Sequence, residues 1–459
     1  MRASILLGIW GICATTVSAG EVVQFHIHGQ AWNDFGRIMQ ASDSELAGGT
    51  TVNTSSNSMQ SLGAQFTVDA EWGEHWNAVL GIGAYQMATA LGTVGGTPEA
   101  SDFLNVSLMK PISQASLTYY EGLIDHPWLS ITAGNFAYDY NPDVKDLGLY
   151  LLRGPVYPGL LMSGFQQFET DTTKAVQTGF RVHNAIGNFS QDLLLINEQE
   201  LPPMFDWSLA YVAKYRAFNA LEIGAGVNFY RLIPYSNALE TPGRFPYGQG
   251  STASDGTPNY DVVSPDDTVF YTDQGIKLMG MFSLDPKRWL PFENMGSEDF
   301  KLYGEAAVLG VKNYGSLYND IWQRIPVMGG FNVPTFGILD FLSVEVEWYG
   351  SPYRDDLSNL GNPASIVAPW MNQNPPIPSP VPVEPGAYPD SVKDNWKWAV
   401  VAQKTVAKHI RFTAQIANDH FRPGPLVSDG TGTTTTGGAA SVLTAPSDWY
   451  FMCRLGFFF

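Results

Sequence analysis

The chain has 459 residues, with 25 Lys and Arg, 44 Asp and Glu and a net charge of −19; only 15% of its residues are charged, whereas 13% are aromatic. Its mean hydropathy of −0.08 is too polar for a bundle of membrane helices, and 44% hydrophobic residues are too many for a disordered chain. The acidic balance argues against nucleic acid as a partner. Because soluble proteins carry roughly 25% charged residues, part of the surface is expected to face something other than water.

The first residues have the pattern of a secretory signal peptide. A short basic start precedes an apolar stretch at 5–13, and Val17-Ser18-Ala19 fits a small-residue cleavage site, which predicts a signal peptide of residues 1–19. Cleavage would give residues 20–459 a net charge of −20 and leave Cys453 as their single cysteine, which excludes an internal disulfide. No later stretch has 18 consecutive apolar residues, so an exported membrane protein would have to be a barrel.

Apolar and polar residues alternate along most of the chain. In 341–350, for example, Leu342, Val344 and Val346 alternate with Ser343, Glu345 and Glu347. This period of two marks strands with one apolar and one polar face. Sixteen such segments are predicted, namely 22–32, 60–72, 76–88, 113–123, 128–137, 174–184, 188–198, 206–216, 219–230, 269–284, 299–312, 323–333, 341–350, 395–405, 408–418 and 447–459.

The connections between these segments alternate in length. If the first strand runs outward, six of the eight outer connections exceed 20 residues and five of the seven inner ones have four or fewer. Long outer loops with short periplasmic turns are typical of outer-membrane barrels. The outer connections are 33–59, 89–112, 138–173, 199–205, 231–268, 313–322, 351–394 and 419–446, and the inner ones are 73–75, 124–127, 185–187, 217–218, 285–298, 334–340 and 406–407.

The chain ends in an aromatic strand in which Trp449, Phe451, Cys453, Leu455, Phe457 and Phe459 share one face. A soluble protein rarely ends this way, because a bare apolar strand invites aggregation at its edge. The ending, with Phe457 and Phe459, resembles the assembly signal of Gram-negative outer-membrane barrel proteins. Together with the signal peptide and the sixteen strands, it makes the chain resemble the porins, in a subfamily that these features do not identify.

The resemblance implies an all-β protein, a transmembrane antiparallel β-barrel of about 16 strands formed by residues 20–459. It implies insertion into the lipid of the bacterial outer membrane by the barrel assembly machinery, a homotrimer and no cofactor. Small hydrophilic solutes and ions would be its partners.

The third outer connection, 138–173, is the first functional candidate. In porins the loop after the fifth strand folds into the lumen and narrows the channel, and similar position and length imply the same for this loop. Residues 144–152 could form a short apolar helix that needs shelter. An ordinary surface loop and a contact with a neighbouring subunit remain alternatives. The charged candidates in this loop are Asp139, Asp143, Lys145, Asp146 and Arg153.

Alternation also assigns charged residues to the lumen wall. Charges of both signs across a constriction create a field that orients polar solutes, and their net sign sets ion preference. Near balance in the wall and acidic loops at the mouth predict a weak cation preference, unless the wall charges only pair with one another. The cations are Arg181, Lys214, Arg216, Lys277, Arg411 and Arg454, and the acids are Asp69, Glu71, Glu222, Glu345 and Glu347.

The remaining patterns are weaker. Aromatics near strand ends suit the two interfacial girdles of a barrel, and inward Trp32, Tyr85, Tyr120 and Tyr230 could stack on sugars. His26 and His28 share a face with Gln30 and are interpreted as lumen residues, because no Cys or clustered acids accompany them as metal ligands. The girdle candidates are Trp72, Trp76, Trp128, Trp207, Trp348, Trp396, Trp398, Trp449, Phe457 and Phe459.

Catalytic motifs such as G-x-S-x-G and H-E-x-x-H are absent from the sequence, and the phospholipase-like types His183, Asn184 and Ser190 are too common to count. The pairs at 255–256 and 266–267 could bind calcium but more readily shape a solvated loop. The Pro-rich loop 351–394 and the low-complexity stretch 431–438 are expected outside the barrel.

The sequence therefore predicts a non-enzymatic porin for passive diffusion of small hydrophilic solutes and ions. A substrate-selective uptake channel for sugars or anions, and a barrel with a structural or adhesive surface role, remain alternatives.

Overall fold

The computed structural model describes the barrel and parts of its loops. The described residues are 23–42, 44–46, 50–52, 55–56, 58–89, 112–123, 126–152, 175–198, 205–233, 235, 243–246, 251–252, 258–259, 268–271, 275–289, 294–311, 320–350, 395–420, 427–428, 434–435, 443 and 445–459. The predicted signal peptide, Arg153, the Pro-rich loop 351–394, the stretch 255–256, the pair at 266–267 and most of 431–438 lie outside them.

Sixteen strands close into one antiparallel barrel in chain order, and the last strand pairs with the first. This confirms the predicted all-β barrel and its strand number. The strands are β1 Val23–Gln40, β2 Ser58–Trp72, β3 Trp76–Thr89, β4 Ile112–Leu123, β5 His126–Tyr138, β6 Ala175–Ile186, β7 Phe189–Asn197, β8 Trp207–Ala217, β9 Leu221–Ile233, β10 Gly275–Leu284, β11 Leu302–Val308, β12 Pro326–Asn332, β13 Phe341–Tyr349, β14 Trp396–Val406, β15 Ile410–Asn418 and β16 Trp449–Phe458.

Some predicted bounds are wrong. The first strand continues to Gln40, so residues 33–40 belong to the wall and not to an outer loop. The predicted segment 269–284 joins two elements, because Thr268–Tyr271 pairs with Gly243–Pro246 in a separate hairpin and β10 begins at Gly275. The segment 323–333 begins in a 3₁₀-helix, Ile321–Arg324, before β12. The errors have two causes. Polar residues continue β1 beyond its predicted end, and apolar residues before β10 and β12 belong to other elements.

The two ends of the barrel differ in the length of their connections. At one end, five of the seven connections have three residues or fewer, and the other two are 285–301 and 333–340. At the opposite end, five of the eight connections exceed 20 residues. We refer to these as the short-turn end and the long-loop end.

The barrel wall has an apolar outer face and a polar or covered inner face. In β10, exposed Ile276, Leu278 and Phe282 alternate with inward Lys277, Met279 and Met281. A belt of exposed large apolar side chains cannot be left to water, and in a closed barrel it marks the surface that contacts lipid. Other members of the belt are Leu62, Phe66, Leu80, Ile82, Phe180, Leu193, Ile223, Val327, Val346, Phe412 and Ile416. None of the helices in the described part of the chain is long and apolar enough to cross a membrane.

Aromatic residues mark both ends of the belt, as predicted. Trp72 and Trp76 lie on neighbouring strands at the short-turn end, where their rings stack with centroids 6.0 Å apart. Trp207, Trp348, Trp396 and Trp449 lie at the opposite ends of their strands. Amphipathic indole rings at two levels suit the two interfaces of a bilayer.

Candidate functional site: the lumen and its inserted segment

The chain enters the lumen after β5. We call residues 139–152 the inserted segment. Its apolar side chains Val144, Leu147, Leu149 and Leu151 are buried, and they belong to one cluster with inward-facing residues of the barrel wall. The wall residues of this cluster include Met279, Met281, Tyr303, Ala307, Met328, Ala399 and Val401. Residues 139–152 of this loop therefore lie inside the barrel, as expected. The structure does not describe residues 153–173.

Glu345 on β13 holds the tip of the inserted segment. Its carboxylate accepts hydrogen bonds from three successive backbone amides, those of Lys145 at 2.6 Å, Asp146 at 2.9 Å and Leu147 at 2.7 Å. The hydroxyl of Tyr303 donates a fourth bond at 2.8 Å. In a ring of sixteen strands β13 lies directly opposite β5, so the segment crosses the whole lumen.

Tyr303 reaches this carboxylate because its ring lies flat on a glycine. A Cβ at Gly330, on the neighbouring strand β12, would overlap the Tyr303 ring. Any larger residue at this position would displace the ring and the hydroxyl that it carries, so the glycine at position 330 is part of the support of Glu345.

Glu305 on β11 holds the following turn of the inserted segment. It accepts hydrogen bonds from the amides of Leu149 at 3.1 Å and Tyr150 at 2.7 Å, and from the hydroxyl of Tyr140 at 2.6 Å. Glu305 is buried, so losing any of these donors would leave a carboxyl oxygen unsatisfied. The segment is therefore attached to the wall mainly by its own backbone.

The predicted short helix at 144–152 is wrong. Residues 141–152 form turns and bends, and Gly148 and Leu149 have φ values of 91° and 59°. A helix would direct successive amides to carbonyls four residues back, but here those amides point outward to two wall carboxylates. The left-handed conformation of Leu149 costs roughly 1 kcal/mol, which the charged hydrogen bonds to Glu305 offset.

Glu347, also on β13, connects the inserted segment to the long-loop end. It accepts a hydrogen bond from the hydroxyl of Tyr150 at 2.7 Å and lies 2.6 Å from Nε2 of His420, which follows β15. Burial raises the pKa of Tyr150 well above its usual range, and the carboxylates of Glu347 and Glu305 raise it further. Tyr150 therefore stays a hydrogen-bond donor at any physiological pH.

A charged network joins the inserted segment to the short-turn end. Asp143 binds Lys301 at 2.8 Å and accepts a bond from Ser283, while Lys145 lies 3.4 Å from Glu298. Burial alone would raise the pKa of Asp143, but Lys301 and the hydrogen bond from Ser283 outweigh it and lower the pKa below 3.8. The carboxylate is therefore ionised at neutral pH and fixes the first turn of the segment.

The wall from β6 to β9 carries a different kind of contact. Asp192 on β7 binds Nε of Arg181 at 2.8 Å and Nδ1 of His183 at 2.9 Å. Glu222 on β9 binds Arg216 at 2.9 Å and Lys214 at 3.3 Å. These acids contact the side chains of Arg, Lys, His and Tyr instead of backbone amides.

The structure places the predicted wall charges on inward positions, but it covers some of them. Glu345 and Glu347 are buried under the inserted segment, and Lys277 is buried beside Tyr230, with its ammonium 5.5 Å from the ring centroid. The others are half-buried or exposed, namely Asp69, Glu71, Arg181, Lys214, Arg216, Glu222, Arg411 and Arg454. Of the loop candidates, Asp143 and Asp146 are buried and Asp139 and Lys145 are half-buried.

The sequence did not single out Glu305, Asp192, Asp34 or Lys301. Asp34 lies in the part of β1 that was assigned to a loop, where it binds Arg454 at 2.6 Å. Glu305 and Asp192 lie on two predicted strands, 299–312 and 188–198, and counting outward positions along them would have placed both acids inward. Lys301 lies just before β11 but inside the same predicted strand 299–312, and the same count would have placed it on the inward face with Glu305.

The sugar-stacking track is not supported by the described aromatics. Trp32 and Tyr230 are buried, and the side chain of Tyr85 is not described. Of the four candidates, this leaves Tyr120, which is half-buried. His28 binds Asp69 at 3.0 Å in the lumen. Among the described residues, no group of three His, Cys, Asp or Glu side chains could hold a metal ion.

Comparison with known proteins finds likeness in architecture. No family model and no curated protein matches the sequence. Among solved structures, a triple mutant of Rhodopseudomonas blastica porin is 7% identical, with a TM-score of 0.41, over 95% of this chain and 100% of that chain. Another mutant of the same porin is 6% identical, with a TM-score of 0.43 and the same coverage. The fold is therefore established by this chain's own closed barrel of sixteen antiparallel strands, and function has to follow from its residues.

Proposed function

We propose that this protein is a porin of the bacterial outer membrane, through which small hydrophilic solutes and ions diffuse passively. The observation that carries the proposal is the inserted segment, which crosses the lumen and is bonded to the opposite wall by Glu345 and Glu305. A segment fixed in this way narrows a passage permanently. A barrel of sixteen strands is wide enough to hold an aqueous channel beside it.

The half-buried charges describe where the passage runs. Asp69, Glu71, Tyr120, Arg181 and Glu222 lie on inward positions of β2 to β9 and do not belong to the buried cluster around the segment, which Arg181 borders at Tyr138. We propose that this polar side is the water-filled path, with the short-turn end in the periplasm and the long-loop end outside. The outward apolar belt then contacts membrane lipid, after insertion by the barrel assembly machinery.

Planar-bilayer recordings test the proposal. The purified protein is expected to give ohmic KCl conductance, and poly(ethylene glycol) fractions of graded size should reduce it up to a sharp size limit set by the segment. Absence of any conductance from a correctly folded barrel would overturn the porin assignment. A size limit that matches an unobstructed barrel of sixteen strands would refute the role of the segment.

Ion selectivity is a separate proposal. Acidic loops at the mouth and a nearly balanced wall favour a weak preference for cations. Replacing Arg181 or Arg411 by Ala removes a lumen cation and should shift the reversal potential in a KCl gradient further toward the potassium potential. An unchanged reversal potential in both variants would show that these charges only support the wall. Assembly as a homotrimer also belongs to the proposal, and cross-linking in native membranes tests it.

A further inference from the structure

Two donors on β6 face the lumen without serving the inserted segment. Arg181 and His183 are two residues apart and therefore share the inward face. Their side chains are 28% and 24% exposed, whereas the carboxylate between them, Asp192, has a side chain only 5% exposed. This group lies in the part of the lumen that we propose as the path.

Asp192 fixes both donors from behind. It accepts hydrogen bonds from Arg181 Nε at 2.8 Å, from His183 Nδ1 at 2.9 Å and from the hydroxyl of Tyr138 at 3.1 Å. The Arg181 guanidinium also lies over the Tyr138 ring, 4.9 Å from its centroid. A buried acceptor with three donors leaves its partners little freedom to rotate.

The atom that Arg181 uses for this contact is informative. Because it binds Asp192 through Nε, its two terminal nitrogens make no hydrogen bond to any described residue. Arg216, by contrast, binds Glu222 through a terminal nitrogen, and Arg454 uses both Nε and a terminal nitrogen on Asp34. His183 likewise uses Nδ1 and leaves Nε2 toward the lumen.

We propose that Arg181 and His183, oriented by Asp192, form a binding subsite for the oxyanion group of a solute, a carboxylate or a phosphate. The planar fork of a guanidinium matches two oxygens of such a group. Because the His183 ring already donates through Nδ1, its Nε2 accepts a third hydrogen bond from a phosphate hydroxyl, or donates one to a carboxylate or phosphate oxygen when the ring is protonated. Binding is weak for two reasons. Asp192 neutralises the charge of Arg181, and two further carboxylates, Asp69 and Glu71, lie close enough to act electrostatically on Tyr120, on which Arg181 also acts. The subsite deepens the proposed porin function, since it would enrich small oxyanions in an otherwise cation-preferring path.

Calorimetric titration of the full-length protein in detergent tests this directly, with inorganic phosphate and acetate as separate probes at constant ionic strength. We expect saturable binding at millimolar concentration. Arg181→Gln should weaken it at least about tenfold, since hydrogen bonds to a charged group contribute about 1.5–3 kcal/mol. Arg181→Lys, which keeps the charge but not the fork, should weaken it nearly as much, whereas the matched control Arg216→Gln should leave it within twofold.

Asp192→Asn separates a built subsite from diffuse attraction. It removes a negative charge, so simple attraction would strengthen oxyanion binding, whereas loss of the fixed orientation weakens it. Stronger binding in this variant, or equal binding in Arg181→Gln and wild type, would overturn the proposal, and the circular dichroism spectrum verifies folding. If phosphate and acetate bind as expected but no current flows, the porin function fails and the subsite stands. If current flows and neither anion binds, the subsite alone is refuted.

Discussion

The two sides of the lumen use carboxylates in opposite ways. On β11 and β13, Glu305 and Glu345 are buried and accept hydrogen bonds from backbone amides of the inserted segment. On β7 and β9, Asp192 and Glu222 bind the side chains of Arg and Lys. We call these the anchoring wall and the charged wall.

The difference separates shape from charge. A carboxylate bonded to successive amides fixes the path of the main chain, and in a dry environment an unmatched acceptor or donor is costly, so the segment has one favoured position. A carboxylate bonded to Arg or Lys fixes a side chain and leaves the main chain free, and water screens the more exposed pair, Arg216 with Glu222. In the channel that we propose, the anchoring wall would therefore determine the width of the passage, and the charged wall would determine which solutes prefer it.

Breaking the anchoring wall at Glu345 should have the largest effect. Glu345→Ala leaves three successive amides of the segment without their acceptor, which should cost about 3 kcal/mol or more, while the Tyr303 hydroxyl keeps Ser343 and Asn332 as partners. The segment should detach, and the size limit for poly(ethylene glycol) in bilayer recordings should rise together with the single-channel conductance.

Glu222→Ala is the matched control on the charged wall. It removes an inward carboxylate of the same type, but its partners are the side chains of Arg216, which can turn to water, and Lys214, which keeps its hydrogen bond to the carbonyl of Tyr140. We expect an unchanged size limit and a reversal potential shifted toward anions. Equal widening in both variants would abolish the distinction between the walls.

The strands of the barrel could be predicted because their cause is local. Alternation in 60–72 or 341–350 reflects one face toward lipid and one toward the lumen, and every residue carries that information itself. The prediction failed for residues 33–40 because Asn33 and Arg37 interrupt the apolar outer face of β1 without ending its pairing.

The anchoring wall could be predicted only in part. Alternation placed Glu345 and Glu347 inward, but their burial depends on residues 145–150, almost 200 positions earlier in the chain. No local pattern shows which of many inward acids a distant loop will cover. The helix at 144–152 was predicted wrongly for the same reason. The amides of this stretch bond to side chains of distant strands, which no local pattern shows.

The tyrosines of the inserted segment give a smaller perturbation of the anchoring wall. Tyr150→Phe removes the hydroxyl bonded to Glu347. Tyr140→Phe removes the hydroxyl bonded to Glu305, which is also the acceptor of the Leu151 amide, while the amides of Leu149 and Tyr150 keep Glu305. Each should lower the unfolding free energy by about 1–3 kcal/mol, because a buried carboxyl group loses one donor. Thermal unfolding in detergent measures this. Tyr215→Phe, on the outer face, is the control and should be neutral; an equal loss there would mean that the buried hydroxyls contribute nothing specific.

Acid should sharpen the comparison further. Burial would raise the pKa of Asp143, but Lys301 and Ser283 lower it, so its contribution to stability is present above pH 3.8 and is lost as the pH falls through the lowered value. Lys301→Met removes the main group that lowers the pKa of Asp143. The Asp143 carboxylate should then be protonated, and its contribution to stability lost, at a higher pH. The current through the channel as a function of pH measures the midpoint. A midpoint that stays the same in the variant would show that Lys301 does not hold Asp143 ionised.

The smallest effect is expected on the face that belongs to neither wall. Cys453 is exposed on the outer surface of β16, where its backbone pairs with Phe35 and Ala414. A maleimide that partitions into lipid should label it without changing the conductance, whereas a charged, membrane-impermeant maleimide should not reach it.

Met452, one residue earlier, points inward and packs against the buried cluster around the inserted segment. In a Cys453→Ser background, Met452→Cys should therefore show the reverse: labelling by the impermeant reagent through the lumen, with a reduced current. If both positions react with the same reagent, the assignment of inner and outer faces along this strand is wrong, and with it the identity of the groups that line the passage.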